Sequence, residues 1–210
     1  STALQPPFAE PMAPAEAPQA SSYRQRFGYL RRVFPVIHVA DIGQTMRNLD
    51  LCLRRPSVAG AFLIVHGLGW GSATQIGIIL QRAANRIAQV RPTFALGFNP
   101  LVYDTRDPRT IYRLLDEGRL PLWWSDPGGV DAHTIRYTRH PLQGWLAEQT
   151  PAPILFGGCL FKGQGQPPPA AIPRFVRMCA RVQDVVTTSG PGTGHAADTR
   201  KIAWLRHALG

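Results

Sequence analysis

An apolar segment of strand length, followed by an amphipathic segment of helix length, recurs six times along this chain of 210 residues. The apolar segments lie at 33–39, 61–65, 93–98, 120–124, 154–161 and 185–187. The segments with helical spacing lie at 45–53, 72–90, 107–118, 131–149, 172–179 and 198–209, and Pro141 interrupts the fourth of them. This alternation predicts an α/β protein with a parallel sheet and outer helices, either a TIM-type barrel or a doubly wound sheet.

The first 32 residues differ in composition from the rest of the chain. Residues 1–22 are rich in Ala and Pro with only Glu10 and Glu16 as charges, and residues 23–32 are rich in Arg. A signal peptide would need a basic start and an apolar centre, and neither is present. We therefore expect a disordered or surface-wrapping tail over 1–32 and a single domain over 33–210, for which a hydrophobic fraction of 44% supplies one core.

The charge balance favours anionic ligands or partners without naming them. There are 23 basic residues against 13 acidic ones, a net charge of +10, and all but two of the basic residues are Arg. No helix-turn-helix, zinc-finger or RNP-like pattern occurs, so the sequence predicts no specific binding of nucleic acid. No apolar run approaches the roughly twenty residues that a membrane span needs. Cys52, Cys159 and Cys179 form neither a metal motif nor a disulfide framework, which favours a reducing compartment, the cytoplasm or an organelle interior.

Polar side chains follow each of the predicted strands. In either architecture the carboxyl ends of the strands gather at one face, where ligands bind. The residues expected at this face are His38, Asp41, His66, Asn99, Asp104, Ser125, Asp126, Lys162, Thr188 and Ser189. Helix caps and turns also place polar residues at strand ends, and Asp41 is better explained as a turn residue than as a catalytic one.

Five of these residues are candidates for catalysis. Lys162 could neutralise a phosphate or carboxylate, or form an imine if burial lowered its pKa. Asp126 and Asp104 could act as general bases or hold a sugar hydroxyl. His38 and His66 could also take part in catalysis, or each could simply be hydrogen-bonded to a neighbouring loop. The spacing matches no recognised metal motif, so we predict no metal site, and the sequence identifies no cofactor.

A glycine-rich turn at 189–194 separates the last strand from the last helix. Gly190, Gly192 and Gly194 could bring bare backbone amides close to a ligand, as could Thr188 and Ser189 before them. A helix N-terminus nearby would favour an anion through its unpaired N–H groups and its dipole. Glycine serves a tight structural turn equally well, so a phosphate site and a purely structural turn both remain open.

Three blocks of sequence resemble the BtpA/SgcQ-like family. They are GFNPLVYDTRDPRTIYRL at 97–114, LFGGCLFKG at 155–163 and VVTTSGPGTGHAADTRKIAWLR at 185–206. The resemblance implies a phosphate-binding TIM barrel with poorly defined biochemistry, and one branch of the family is implicated in photosystem I biogenesis. The best matches are Asn99, Lys162 and the Ser-Gly-x-x-x-Gly turn from Ser189 to Gly194.

The chain departs from such barrels in the number of βα units. The barrels have eight units, whereas this sequence contains six, and their usual phosphate site follows strands seven and eight. The resemblance therefore implies an incomplete TIM-type (βα) barrel with open edges that must be covered. We expect a homo-oligomer, a partner protein or the Ala/Pro tail to cover them.

Two functions follow from these features. The first is an enzyme, or the descendant of one, that acts as a lyase, isomerase or hydrolase on a phosphorylated or sugar-containing small molecule at the strand C-terminal face. The alternative is a catalytically silent structural or assembly subunit of a larger complex, linked to photosystem biogenesis. A third and weaker hypothesis is RNA or DNA binding through diffuse arginine charge.

Overall fold

The computed structural model describes residues 22–28, 31–66, 73–101, 119–137, 152–192 and 194–209. The described helices are α1 (Ser22–Phe27), α2 (Ile42–Leu53), α3 (Ala73–Val90), α4 (Ile172–Val182) and α5 (Thr199–Leu209), with a 3-10 turn at Pro169–Ala171. The strands are β1 (Val36–His38), β2 (Gly60–Ile64), β3 (Ala95–Asn99), β4 (Leu122–Ser125), β5 (Val130–Asp131), β6 (Arg136–Tyr137), β7 (Ile154–Gly158) and β8 (Val185–Thr187).

Six of the strands form a parallel sheet in the order β1-β2-β3-β4-β7-β8, while β5 and β6 form a separate two-stranded sheet. The order follows the chain, as expected when each strand is joined to its neighbour by a right-handed crossover. All six predicted strands are confirmed to within three residues at each end. The α/β class and the parallel sheet are therefore confirmed, and closure into a TIM-type barrel stays a prediction.

The chain divides into two compact units. The first, here the N-terminal unit, contains the described residues of 22–125 and 152–155, and the second, the C-terminal unit, contains those of 126–137 and 156–209. Each unit has its own cluster of buried apolar side chains.

In the N-terminal unit, β2 and β3 are buried at every position. Leu63 of β2 lies beside Ile37 of β1 and beside Phe98 of β3 in the register of the sheet. Burial on both faces explains why these strands are continuous apolar runs rather than alternating ones. Helix α2 packs on this core through Leu49 and Leu53. Asp41 caps its N-terminus, because the Asp41 carboxylate accepts a hydrogen bond of 2.7 Å from the backbone N–H of Gln44.

In the C-terminal unit, β8 pairs with β7 in parallel, and Val186 lies beside Gly157. Helices α4 and α5 pack together over this pair. Phe175, Val176 and Leu205 are buried at their contact with the strands' loops. The predicted helices at 172–179 and 198–209 are thus confirmed.

The prediction of a helix over 131–149 is wrong for its first seven residues. Residues 130–137 form the β5-β6 ribbon, in which Val130 pairs with Tyr137 and Asp131 with Arg136. The Asp131 carboxylate accepts hydrogen bonds from the backbone N–H groups of His133 (3.0 Å) and Thr134 (2.6 Å), which closes a turn. The same side-chain chemistry caps helices, so the sequence could not separate the two. Residues 138–149 lie outside the described part of the chain.

Several other predictions fall on residues that are not described. These are residues 1–21 of the tail predicted over 1–32, the helix at 107–118, and residue 72 at the start of the segment predicted as helical over 72–90. Among the described helices, none is both long enough and apolar enough to cross a membrane.

Candidate functional site

His38 and His66 lie together at the carboxyl ends of β1 and β2 in the N-terminal unit. Their imidazole rings are stacked, with centroids 4.7 Å apart and planes at 16° to each other, and both side chains are exposed. Parallel pairing of β1 with β2 places the residues after the two strands side by side. The structure thus brings together the two histidines that the sequence placed at this edge.

Asn99 ends β3 and is buried, with 4% of its surface exposed. Its side-chain oxygen accepts a hydrogen bond of 3.0 Å from the backbone N–H of Leu101. Leu101 has a φ of 48°, an unfavourable conformation for a leucine that this hydrogen bond helps to stabilise. Asn99 therefore shapes the turn after β3. Asp104 lies outside the described residues.

In the C-terminal unit, the loops that follow β7 and β8 are hydrogen-bonded to each other. The backbone N–H of Lys162 donates to the hydroxyl oxygen of Ser189 at 2.7 Å. The Thr188 hydroxyl donates to the carbonyl of Leu160 at 3.3 Å, one loop reaching across to the other. The Lys162 side chain is exposed at this edge, and Ser189 is half-buried. We call residues 160–162, 188–192 and 194 the β7-β8 edge.

The glycine turn of the β7-β8 edge contains two positions that favour glycine. Gly190 is buried, and a Cβ there would overlap the carbonyl oxygen of His195. The backbone N–H of His195 donates to the carbonyl of Gly192 at 3.2 Å, so the turn folds back on itself. Gly194 has a φ of 80°, a conformation that glycine adopts without strain.

Helix α5 does not begin at the glycine turn but at Thr199, and Asp198 caps it. The Asp198 carboxylate accepts a hydrogen bond of 2.9 Å from the backbone N–H of Arg200 and pairs with the Arg200 guanidinium at 3.3 Å. These hydrogen bonds, the backbone one first, hold the pKa of Asp198 below its usual value. The carboxylate thus occupies the helix N-terminus, and an anion at the edge would meet the glycine turn and the lysines instead.

Lys201 is the functional candidate that the sequence analysis missed. Its ammonium group donates hydrogen bonds to the carbonyls of Ser189 (2.5 Å) and Leu160 (3.2 Å), one on each side of the β7-β8 edge. Burial lowers the pKa of Lys201, while Cys159 and Asp198 act in the opposite direction. A signal was present in the sequence, because Lys162 and Lys201 are the only lysines beside 21 arginines.

Two glutamines hold the loop that begins at Asp126. Gln183 is buried, and its amide nitrogen donates to the carbonyls of Gly128 (2.7 Å) and Gly158 (3.2 Å). The amide nitrogen of Gln164 donates to the carbonyl of Pro127 at 2.8 Å and to that of Gly158 at 3.1 Å. Asp126 itself is half-buried beside β7.

The glycine pair in β7 is explained by this packing. A Cβ on Gly157 would overlap the side chain of Gln183, and a Cβ on Gly158 would overlap the carbonyl oxygen of Asp126. The glutamines were missed because their partners lie far away in sequence.

Cys159 and Cys179 are both fully buried in the core of the C-terminal unit. A hydrogen bond with Cys179, together with burial, raises the pKa of the Cys159 thiol. A buried thiol with a raised pKa is a poor nucleophile, so Cys159 has a packing role. Within the described ranges, no three His, Cys, Asp or Glu side chains are grouped so that they could hold a metal ion.

The β7-β8 edge carries groups that can bind an anion. The Lys162 side chain is exposed beside the glycine turn, and Lys201 adds positive charge. The Ser189 hydroxyl donates its own hydrogen to the carbonyl of Gly190 at 2.9 Å. Asp126, in the same unit, supplies a carboxylate that can accept a proton or a hydroxyl hydrogen bond.

No protein-family model matches the chain, and no curated protein matches it.

Proposed function

We propose that the β7-β8 edge binds the phosphoryl group of a small phosphorylated or sugar-containing metabolite. The observation that carries this proposal is the 2.7 Å hydrogen bond from the Lys162 backbone to the Ser189 hydroxyl. It joins the loop that carries the Lys162 side chain to the glycine turn, so a cation and backbone amides face the same ligand. Cations and backbone N–H groups at a strand end are the usual means of phosphate recognition in α/β proteins.

Each residue of the edge has a distinct role in this proposal. The Lys162 ammonium pairs with the phosphoryl oxygens as a point charge. The backbone amides of Gly190, Gly192 and Gly194 donate to the same oxygens, and Lys201 holds the turn in place while contributing its charge. Asp126 accepts a proton or a sugar hydroxyl from the rest of the molecule, as in an isomerase, lyase or hydrolase.

The proposal includes descent from the phosphate-binding TIM barrels of the BtpA/SgcQ-like type. It is supported by the sequential order of six parallel strands, with Asn99 at the end of β3 and with Lys162 and Ser189 in the loops that follow β7 and β8. The stacked pair of His38 and His66 follows two further strands of that sheet and supplies imidazoles for the same kind of chemistry. The reaction is proposed at the level of its class only.

The test is calorimetric titration of the full chain with ribose 5-phosphate, with ribose as the uncharged comparison. Lys162→Ala is expected to weaken ribose 5-phosphate binding about tenfold or more, the value of one charged hydrogen bond. Arg181→Ala is the matched control, because Arg181 is an exposed cation in the last turn of α4, at the end of that helix remote from the β7-β8 edge. Unchanged affinity in Lys162→Ala, or equal binding of ribose, would remove the proposal.

A second function, an assembly subunit, is favoured by the exposed edge of the sheet. β1 is the first strand in the sheet order. Val36 in this strand is 42% exposed, and Val33, three residues before it, is 55% exposed. Exposed apolar residues at a strand edge favour pairing with another chain. Light scattering of the wild-type chain and of Val36→Lys tests this function. An oligomer that the substitution reduces to a monomer would support it, and a wild-type monomer would refute it.

A further inference from the structure

Three arginines of the N-terminal unit converge on one open cavity of about 340 Å³. Arg26 comes from α1, Arg32 from the segment before β1, and Arg91 from the residue after α3. Phe27 of α1 also lines the cavity, as do Ala59 and Thr93, which precede β2 and β3. The cavity therefore lies at the amino ends of these strands, the opposite end from His38, His66 and Asn99.

Backbone carbonyls and aromatic rings contact the arginine side chains and hold them in place. Arg91 donates to the carbonyls of Arg55 (3.0 Å) and Pro56 (3.3 Å), and its guanidinium lies 5.6 Å from the ring centroid of Phe94. Arg32 donates to the carbonyl of Phe27 at 3.3 Å. Each guanidinium has five N–H donors, so these contacts fix its position and leave donors for a ligand.

Charge at the cavity is not balanced by the described part of the chain. The ion pairs recorded among the described residues join Arg86 to Asp50 and Arg200 to Asp198, and none involves the three cavity arginines. The described residues that line the cavity include no Asp or Glu. Three guanidiniums that line one cavity repel one another, and an anion of more than one charge would relieve that repulsion.

A second cavity of about 190 Å³ adjoins the first and shares Arg26. Most of its wall is apolar, including Ile87, Phe94 and Leu96. An anion seated among the arginines could therefore place a small apolar group beside α3. A phosphate monoester has a charge of −1.5 to about −2 near neutral pH and three acceptor oxygens, which suit three guanidiniums better than a carboxylate does.

From this arrangement we propose a second ligand site, formed by Arg26, Arg32 and Arg91, for an organic phosphate monoester with a small apolar group. It is separate from the β7-β8 edge and belongs to the other unit of the chain. Because it lies at the amino ends of the strands, it is a binding site rather than the place where the proposed chemistry occurs.

Calorimetric titration of the full chain at low salt tests the site, with phenyl phosphate as the probe and benzoate as a monoanion of similar shape. Arg26→Met keeps the apolar stem and removes the charge, and the contact recorded for this guanidinium is with the Phe27 ring, so folding should be preserved. It is expected to weaken phenyl phosphate binding about tenfold or more. Arg82→Met removes an exposed charge from the same unit and is expected to leave binding unchanged.

Several results would overturn the inference. They are absence of phenyl phosphate binding, equal affinity in Arg26→Met, and benzoate binding as tightly as phenyl phosphate. Loss of phenyl phosphate binding in Lys162→Ala would assign the ligand to the β7-β8 edge instead. An oligonucleotide that binds with the same dependence on Arg26 and displaces the probe would assign the cavity to a nucleic-acid backbone. If ribose 5-phosphate fails to bind the β7-β8 edge, the proposed function fails, but the proposal of a site at Arg26, Arg32 and Arg91 is unaffected.

Discussion

Replacing Gly157 by alanine should destabilise the C-terminal unit, because the new Cβ would overlap Gln183. The atoms in conflict are Cδ and Cγ as well as the amide nitrogen, so the whole side chain must move. Its two hydrogen bonds, to Gly128 and Gly158, are then lost at about 1 kcal/mol each, and overpacking costs about 1–3 kcal/mol more. The gain from removing a strand glycine is about 0.5–1 kcal/mol. We expect a net loss of about 3 kcal/mol in the free energy of unfolding.

Urea denaturation followed by circular dichroism measures this loss, and a double-mutant cycle identifies its cause. In a Gln183→Ala background the overlap is absent, so Gly157→Ala should be neutral or slightly stabilising. Gly192→Ala is the matched control, since its Cβ would meet only the His195 ring nitrogen at an ordinary distance of 3.5 Å. The reasoning fails if Gly157→Ala costs the same with and without the Gln183 side chain.

Two predictions concern pH. Hydrogen bonds from the Thr134 backbone and hydroxyl lower the pKa of Asp131 in the folded chain. The stabilisation by the Asp131 carboxylate is therefore fully present above the ordinary carboxyl pKa, and it is lost as the pH falls through the lowered pKa. The free energy of unfolding of wild type and of Asp131→Asn should be measured at a series of acidic pH values. The difference between the two proteins should shrink as the pH falls, and a constant difference would contradict this cause. Burial lowers the pKa of Lys201 in the folded chain. At pH values between this lowered pKa and the ordinary lysine pKa, the unfolded chain therefore binds more protons than the folded chain. The stability of the wild type relative to Lys201→Met should rise with pH over this range. A relative stability that falls over that range would show that the hydrogen bonds to Ser189 and Leu160 favour the charged form more than burial opposes it.

The sheet could be predicted from the sequence because each of its strands is an apolar run bounded by turn residues. β2 and β3 are buried on both faces, and such strands stand out in sequence as continuous apolar segments. Local chemistry also placed the start of α5, where Asp198 caps the helix next to Thr199. The β5-β6 ribbon was missed because an aspartate that caps a turn and one that caps a helix have the same local signature, as Asp131 shows.

The candidate site could be predicted only in part. Parallel strands place their carboxyl ends at one edge, so the pairing of His38 with His66 and of the Lys162 loop with Ser189 followed from topology. Lys201 could not be placed in the same way, because it reaches the edge from a helix, across 41 residues of sequence to Leu160. Likewise, Gln183 is 55 residues from Gly128, and no local pattern predicts a contact over that separation.

The central claim is that the β7-β8 edge binds a phosphoryl group. Titration of the isotope-labelled chain with ribose 5-phosphate, followed by the shifts of its backbone amide resonances, tests it most directly. The account predicts that the largest shifts occur at Lys162, Ser189 and Gly190, and that Lys162→Ala greatly reduces them. Shifts confined to other parts of the chain, or no saturable shifts at all, would contradict it.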